Sequence, residues 1–356
     1  MRREPEREAV LSLLEGADAA ADEALFRRAR AARAAQWGNR VFLYGFLYLS
    51  TFCRNDCTFC QYRRSNHAEI RYRKSLREVL EAGQRLAGDG VHLLDLTLGE
   101  DPCLMEGEGF ARLEEMVAAL RRATGLPVMV SPGVISAAQL ARLRAAGADW
   151  YACYQETHDR TLFAALRVGQ DFDRRCQARR DAAAAGLLVE DGLLTGVGEN
   201  AAQLAHSLQS MYGEPLSQVR AMSYVPHACT LPPQAGDSLA ARRAHELRAL
   251  AAMRLLMPDR LVPASLDVDG LAGLTMRLQA GANVVTSLVP SGRGFAGVAS
   301  RELDIDNERR GVAAVRTVLD RLGLEAASPG DYARWLTERR RTLTPDAGER
   351  TGGTCG

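Results

Sequence analysis

The run VFLYGFLYLSTFCRNDCTFCQY, residues 41–62, joins an apolar stretch to a loop that carries Cys53, Cys57 and Cys60. Val41–Leu49 is short, continuously apolar and rich in aromatic side chains, which reads as a strand buried on both faces. The loop that follows packs three cysteines into eight positions and supplies no fourth nearby. A structural zinc site wants four ligands, commonly as two pairs, and an iron–sulfur cluster takes one ligand per iron. Three thiolates therefore leave one iron open to another group.

Working outward from this strand, the chain alternates. Helix-periodic Ser75–Leu86 precedes strand His92–Leu98, Phe110–Arg122 precedes Pro127–Val130, Ser136–Ala146 precedes Trp150–Gln155, and Asp173–Ala185 precedes Leu187–Leu194. Ala201–Met211 then precedes Val219–Val225, Leu239–Met257 precedes Leu261–Leu266, Leu271–Gln279 precedes Val284–Leu288, and Asn307–Leu322 closes the series. Strict alternation of eight strands and eight helices predicts an α/β protein, a complete (β/α)8 TIM-type barrel with an N-terminal helical extension. Active-site groups then sit at the C-terminal ends of the strands, where the cysteine loop lies. The expected organisation is a helical extension over 1–40, the barrel over 41–325, and a C-terminal helix with a disordered tail over 326–356. The polar, Gly-rich GERTGGTCG takes Cys355 out of the ligand set.

The composition, 47% hydrophobic and 25% charged residues over 356 positions, is that of a soluble globular protein. A formal net charge of +1 offers no bulk field for nucleic acid or an anionic membrane, so neither is expected as a partner. Eight cysteines are too sparse for a disulfide framework and fit a reducing cytoplasm. The start, MRREPEREAV, is charged and helical rather than a signal peptide, and no window reaches the ~18 apolar residues of a membrane span.

The spacing C-x3-C-x2-C, on a loop after the first strand of a βα barrel and followed by an aromatic, resembles the radical S-adenosylmethionine (radical SAM) superfamily. The resemblance implies a 4Fe-4S cluster on Cys53, Cys57 and Cys60, with SAM on the open iron and Tyr62 beside it. It also implies a 5′-deoxyadenosyl radical released on one-electron reduction, and hence an electron donor such as flavodoxin or ferredoxin. The competing reading is a zinc site completed by a distant histidine. In LLDLTLGEDP, alternation sets Asp95, Thr97 and Gly99 on one face and Leu94, Leu96 and Leu98 on the other. Gly99-Glu100 resembles the superfamily's Gly-Gly-Glu element, with Leu98 in place of the first glycine, and so is assigned to SAM. Glu100 and Asp101 read equally as loop solubilisers or a helix cap. YQETHDRTLFAALRVGQ followed by DFDRRCQARR is similar to a Glu-Thr and arginine pair of biotin-synthase-like enzymes, which gives Glu156 and Arg175 to SAM. Neighbouring Arg174, Arg179 and Arg180 read as largely solvent-facing.

Three further positions place polar or charged side chains where a barrel core should be apolar. Arg220 lies in VRAMSY, and Ser265 and Asp267 share a face at the end of strand seven. An amino acid is the complementary guest, its carboxylate on Arg220 and its amines on Asp95 and Asp267; a structural ion pair of Arg220 with an acid across the barrel is the alternative. Together with YLSTFCRNDCTFCQYRRSN and VEDGLLTGVGE, these runs resemble the methylornithine synthase family of pyrrolysine biosynthesis over about residues 41–290. That resemblance implies rearrangement of L-lysine to 3-methyl-D-ornithine: C4 loses hydrogen, C2–C3 breaks, C2 rejoins at C4, and C3 becomes the methyl group. Asp95, Arg220, Ser265 and Asp267 would hold the fragments. A biotin-synthase-like or hydrogenase-maturase-like enzyme on another small substrate is the first alternative, and a non-catalytic iron–sulfur electron-transfer protein the second. The six histidines show no zinc-type spacing and read as surface or packing residues. Cys103, Cys153, Cys176 and Cys229 show no motif for a second cluster.

Overall fold

The computed structural model describes residues 5–16, 18–227, 229–231, 238–290 and 310–343. Helices α1 (Arg7–Leu14) and α2 (Ala19–Trp37) lead into β1 (Arg40–Ser50). There follow α3 (Leu76–Asp89), β2 (Leu93–Leu98), α4 (Pro102–Met105), α5 (Gly107–Thr124), β3 (Val128–Ser131), α6 (Ala137–Ala146), β4 (Trp150–Ala152), α7 (Arg160–Leu166) and α8 (Phe172–Ala184). The second half runs β5 (Leu188–Thr195), α9 (Ala201–Gly213), β6 (Gln218–Ser223), α10 (Leu239–Leu256), β7 (Pro263–Ser265), α11 (Gly270–Gln279), β8 (Val284–Leu288), α12 (Val312–Arg321), β9 (Glu325–Ala326) and α13 (Pro329–Leu343).

The strands are parallel and ordered β6-β5-β4-β3-β2-β1-β8-β7. The ring closes between β6 and β7 through a parallel bridge of Gln218 to Leu261, with Val219 N donating to Leu261 O and Leu261 N to Ser217 O, both at 3.0 Å. The expected eight-stranded barrel is therefore present. Every residue of β1 after Arg40 is buried, as a parallel strand covered on both faces requires. Each such large apolar side chain contributes roughly 1.5–3 kcal/mol. Ser75 with Glu78, and Ser136 with Gln139, form reciprocal capping boxes that fix where α3 and α6 start.

Two departures from the sequence reading bear on the site. Strand β4 stops at Ala152, short of the expected Gln155, and the chain returns to the sheet only at Glu156, which bridges Leu193 with φ 69°. Helices α4 and α7, four and seven residues long, are too short to give a readable period. Each is instead started by an aspartate, Asp101 accepting from Cys103 N and Asp159 from Leu162 N. The first residues of the expected Asn307–Leu322 helix, and Cys355 with its tail, lie outside the described residues.

At the N-terminal end of the strands α13 closes the barrel. Trp335 stacks on Trp150 with ring centroids 5.7 Å apart, Tyr332 packs on Phe42 at 5.0 Å, and the Tyr332 hydroxyl bonds that of Tyr44 at 2.9 Å. His92 is part of this floor, taking Leu43 N on Nδ1 at 2.9 Å.

Candidate active site

The C-terminal ends of the strands surround a cavity of about 220 Å³, with Cys53, Cys57 and Cys60 on its wall together with Arg220 and Asp267. The cysteine loop is tied down locally. Arg71 donates to the carbonyls of Thr51, Tyr62, Arg63 and Asn66, so one guanidinium stitches both ends of the loop. Gly99 lies against it: a Cβ there would sit 2.4 Å from Phe52 O and 2.9 Å from Cys53 Cβ, so only glycine lets β2 and the loop meet. Gln170 Nε2 reaches Cys57 Sγ at 3.0 Å and Arg167 Nη1 reaches it at 3.6 Å, donors suited to a thiolate. Burial pushes the Cys53 and Cys60 thiols up, so binding metal displaces protons there.

Beside the cysteines the structure gathers Glu100, Glu156 and Arg175, the three charged residues among those expected to meet SAM, all on the same cavity wall. Arg175 Nη1 lies 3.4 Å from Glu100 Oε1 and its Nε donates to Tyr154 O at 2.6 Å. Burial opposes ionisation of Glu100, yet Arg175, Val134 N and Arg54 together hold its carboxyl below the usual range. For Glu156 burial wins and raises the carboxyl, although Arg167 Nη2 sits 2.7 Å away. Tyr62 is buried on the same wall. Of the arginines read as solvent-facing, Arg174 and Arg180 are exposed, but Arg179 is fully buried, 3.3 Å from Asp191. Asp191 also holds His158 Nε2 at 3.0 Å and Gln155 N at 2.7 Å, which fixes the irregular chain after β4.

Deeper in the barrel lie the residues expected to meet substrate. Asp95 takes Ser131 Oγ on Oδ1 at 2.9 Å, while its Oδ2 is buried with no partner. Burial, and next Glu190, push this carboxyl up to about 7. Arg220 pairs with Glu190 through Nε at 2.7 Å and with Thr286 Oγ1 through Nη1 at 3.0 Å, leaving Nη2 buried and unbonded. The ion-pair alternative for Arg220 is thus present, with an acid on the adjacent strand, and it leaves one nitrogen open. Asp267 is already met by a cation: Arg310 Nη2 and the Tyr48 hydroxyl reach Oδ1, each at 2.7 Å, and Ser287 Oγ reaches Oδ2 at 2.7 Å. Ser265 Oγ joins this set, 3.2 Å from Ser287 Oγ and accepting from Asp267 N at 3.2 Å. Sequence reasoning passed over Arg167, Gln170, Glu190 and Arg310. The first two stand within the run quoted for Glu156, and Glu190 begins the paired acids of VEDG in an otherwise apolar strand.

The donor set fits a 4Fe-4S cluster. Cys53, Cys57 and Cys60 share one wall of the cavity and are thiol donors of the kind an iron–sulfur cluster takes. The paired carboxylates and guanidinia beside them suit the charged methionine end and the ribose of SAM.

Comparison with known proteins agrees with this geometry. The radical SAM superfamily model matches residues 47–211. The 3-methylornithine synthase of Methanosarcina barkeri (strain Fusaro / DSM 804) is 41% identical over 314 residues, 87% of each chain. A crystal structure of methylornithine synthase superposes with a TM-score of 0.87 at 38% identity, covering 94% of this chain and 97% of that one. A hydrogenase maturase subunit, HydE of Thermotoga maritima (strain ATCC 43589 / DSM 3109 / JCM 10099 / NBRC 100826 / MSB8), is more distant, 27% identical over 80% of each chain. The chain belongs to the 3-methylornithine synthase family of radical SAM enzymes.

Proposed function

We propose that this chain is the mutase that rearranges the carbon skeleton of L-lysine to 3-methyl-D-ornithine, the opening step of pyrrolysine biosynthesis. The observation that carries the reading is a pair of open, opposite groups in the barrel interior: Arg220 Nη2 and Asp95 Oδ2, both buried and unbonded. Among the described residues the remaining charges there cancel in pairs, Arg220 with Glu190 and Arg310 with Asp267, so Asp95 is the excess. Lysine, with one carboxylate and two ammonium groups, offers a partner of the right charge to each of these two open groups. Buried charges left without such partners would be strongly unfavourable.

The family's 4Fe-4S cluster and SAM supply a carbon radical that takes hydrogen from the substrate. Cys53, Cys57 and Cys60 hold the cluster, and Gly99, Glu100, Glu156, Arg175 and Tyr62 hold SAM. Arg220 takes the lysine carboxylate; Asp95 takes an ammonium, with Ser265 and Asp267 lining the same interior. When C2–C3 breaks the two pieces are no longer joined, so their relative position depends on these anchors, and the buried setting keeps water away from them. The electron comes from a small carrier such as flavodoxin or ferredoxin, for which the exposed Arg64 and Ile70 beside the cysteine loop are available. The free cysteines fit a reducing cytoplasm.

Lysine carrying carbon-13 at C3, incubated anaerobically with reconstituted enzyme, SAM and dithionite, tests the reading. The label is expected in a high-field methyl signal of the product. Label retained in an unbranched chain, as an amino-group shift would leave it, overturns the rearrangement while leaving radical SAM chemistry intact.

A further inference from the structure

An arginine side chain carries five N–H donors in a rigid plane, so the groups that occupy some of them decide where the others point. Around Arg220 the division is sharp. Glu190 Oε1 takes Nε at 2.7 Å and Thr286 Oγ1 takes Nη1 at 3.0 Å. The guanidinium carbon lies 5.4 Å from the ring centroid of Tyr154 and 5.9 Å from that of Phe46. Glu190 does not close on Nη2, because its second oxygen is held by the Tyr154 hydroxyl at 3.1 Å. Strand β5 makes room for this arrangement at its next inward position. A Cβ on Gly192 would stand 3.0 Å from the Tyr154 ring and 3.5 Å from Arg220 Cβ.

We propose that Glu190, pinned by Tyr154, is a positioning residue that turns Arg220 so that Nη2 alone faces the chamber and fixes the substrate carboxylate. The inference rests on the lysine reading above. Its consequence is sharpest after C2–C3 breaks, when the carboxylate-bearing fragment has Arg220 as its anchor and a rotated guanidinium would carry C2 away from C4. The role includes orientation, so an uncharged acceptor at position 190 retains part of it even though it no longer balances the charge of Arg220.

Wild type, Glu190→Gln, Glu190→Ala and Tyr154→Phe, reconstituted with cluster and SAM, are compared by lysine titration calorimetry and by the ratio of 5′-deoxyadenosine to methylornithine formed. Glu190→Gln keeps an oxygen for Nε but removes the charge paired with Arg220, and is expected to lose clearly less than Glu190→Ala on both measures. Glu190→Ala is expected to weaken lysine binding on the order of tenfold or more and to raise the ratio by a similar factor, with Tyr154→Phe between them. Glu190→Ala matching wild type on both, or Glu190→Gln as damaged as Glu190→Ala, overturns the assignment. Should Glu190→Ala not fold, Tyr154→Phe decides, since it leaves the ion pair intact: an unchanged ratio overturns the proposal. Wild type that ignores lysine overturns the lysine reading and this inference together, whereas lysine turnover with indifferent variants overturns this inference alone.

Discussion

The same eight strands end in two different environments. At the N-terminal mouth the contacts are aromatic and flush, Trp335 lying on Trp150 at an interplanar angle of 16° and on Tyr332 at 23°. At the C-terminal mouth the chain buries ion pairs and bends out of ordinary backbone conformations. Among the described residues the non-glycine positions with positive φ are Glu156, Asp269 and Ser287, and all three follow or end strands at that mouth. Each such residue costs on the order of 1–3 kcal/mol and persists only where its surroundings hold it. The contrast is one of degree: α13 also brings Arg340 to the buried Asp149 at the N-terminal mouth, where Arg121 meets it at 2.9 Å, but the strained backbone and the charges on the cavity wall lie at the other end.

The largest expected effect falls on the cysteine loop. Replacing Cys53, Cys57 or Cys60 by Ala should abolish the visible absorbance of the reconstituted cluster and all SAM cleavage. Cys103→Ala, at an exposed position on α4, should leave both intact. Loss of iron in Cys103→Ala would break the three-ligand reading.

A smaller effect, on the order of tenfold, concerns Asp95. Its carboxyl is raised by burial and then by Glu190 on β5, against Ser131 on β3, Arg220 on β6 and Thr97 on its own strand, and titrates at about 7. A lysine ammonium needs the ionised form. Binding is therefore strongest above that pH and should weaken about tenfold per unit below it, since each unit there reduces the ionised fraction tenfold. Asp95→Asn should bind more weakly at pH 8 and lose the dependence. Calorimetry from pH 5.5 to 8.5 reads both, and a flat wild-type profile would remove Asp95 from the substrate site.

The alternation of elements was legible because barrel strands buried on both faces appear as apolar runs, and because serine caps and glycines punctuate them. Cys53, Cys57 and Cys60 were legible because a local loop supplies every protein ligand. Arg220 and Asp95 betrayed themselves as charges in apolar strands. Their partners did not. Glu190 meets Arg220 only through the register of β5 on β6, and Arg310 meets Asp267 across 43 residues of chain. Arg179 shows the converse: four arginines on one polar helix look alike in sequence, and only the docking of α8 sends two of them inward.

The smallest expected effect tests whether the two ends are independent. Tyr332→Phe keeps the ring and its stacking but removes the hydroxyl pair with Tyr44, leaving a buried hydroxyl short of a partner. The loss should be about 1–2 kcal/mol of stability, a few degrees at most in thermal midpoint for a chain of this size. Lysine kcat and KM should stay within about twofold, because Arg220 donates its hydrogen bonds to Glu190 and Thr286 and none to Tyr44. Tyr44 nonetheless links the two ends, bonded to Tyr332 and lying within electrostatic reach of Glu190 and Arg220. If Tyr332→Phe shifted the lysine KM in step with stability, the aromatic floor would have to be counted among the supports of the substrate anchor, and the separation drawn between the two mouths would fail at Tyr44.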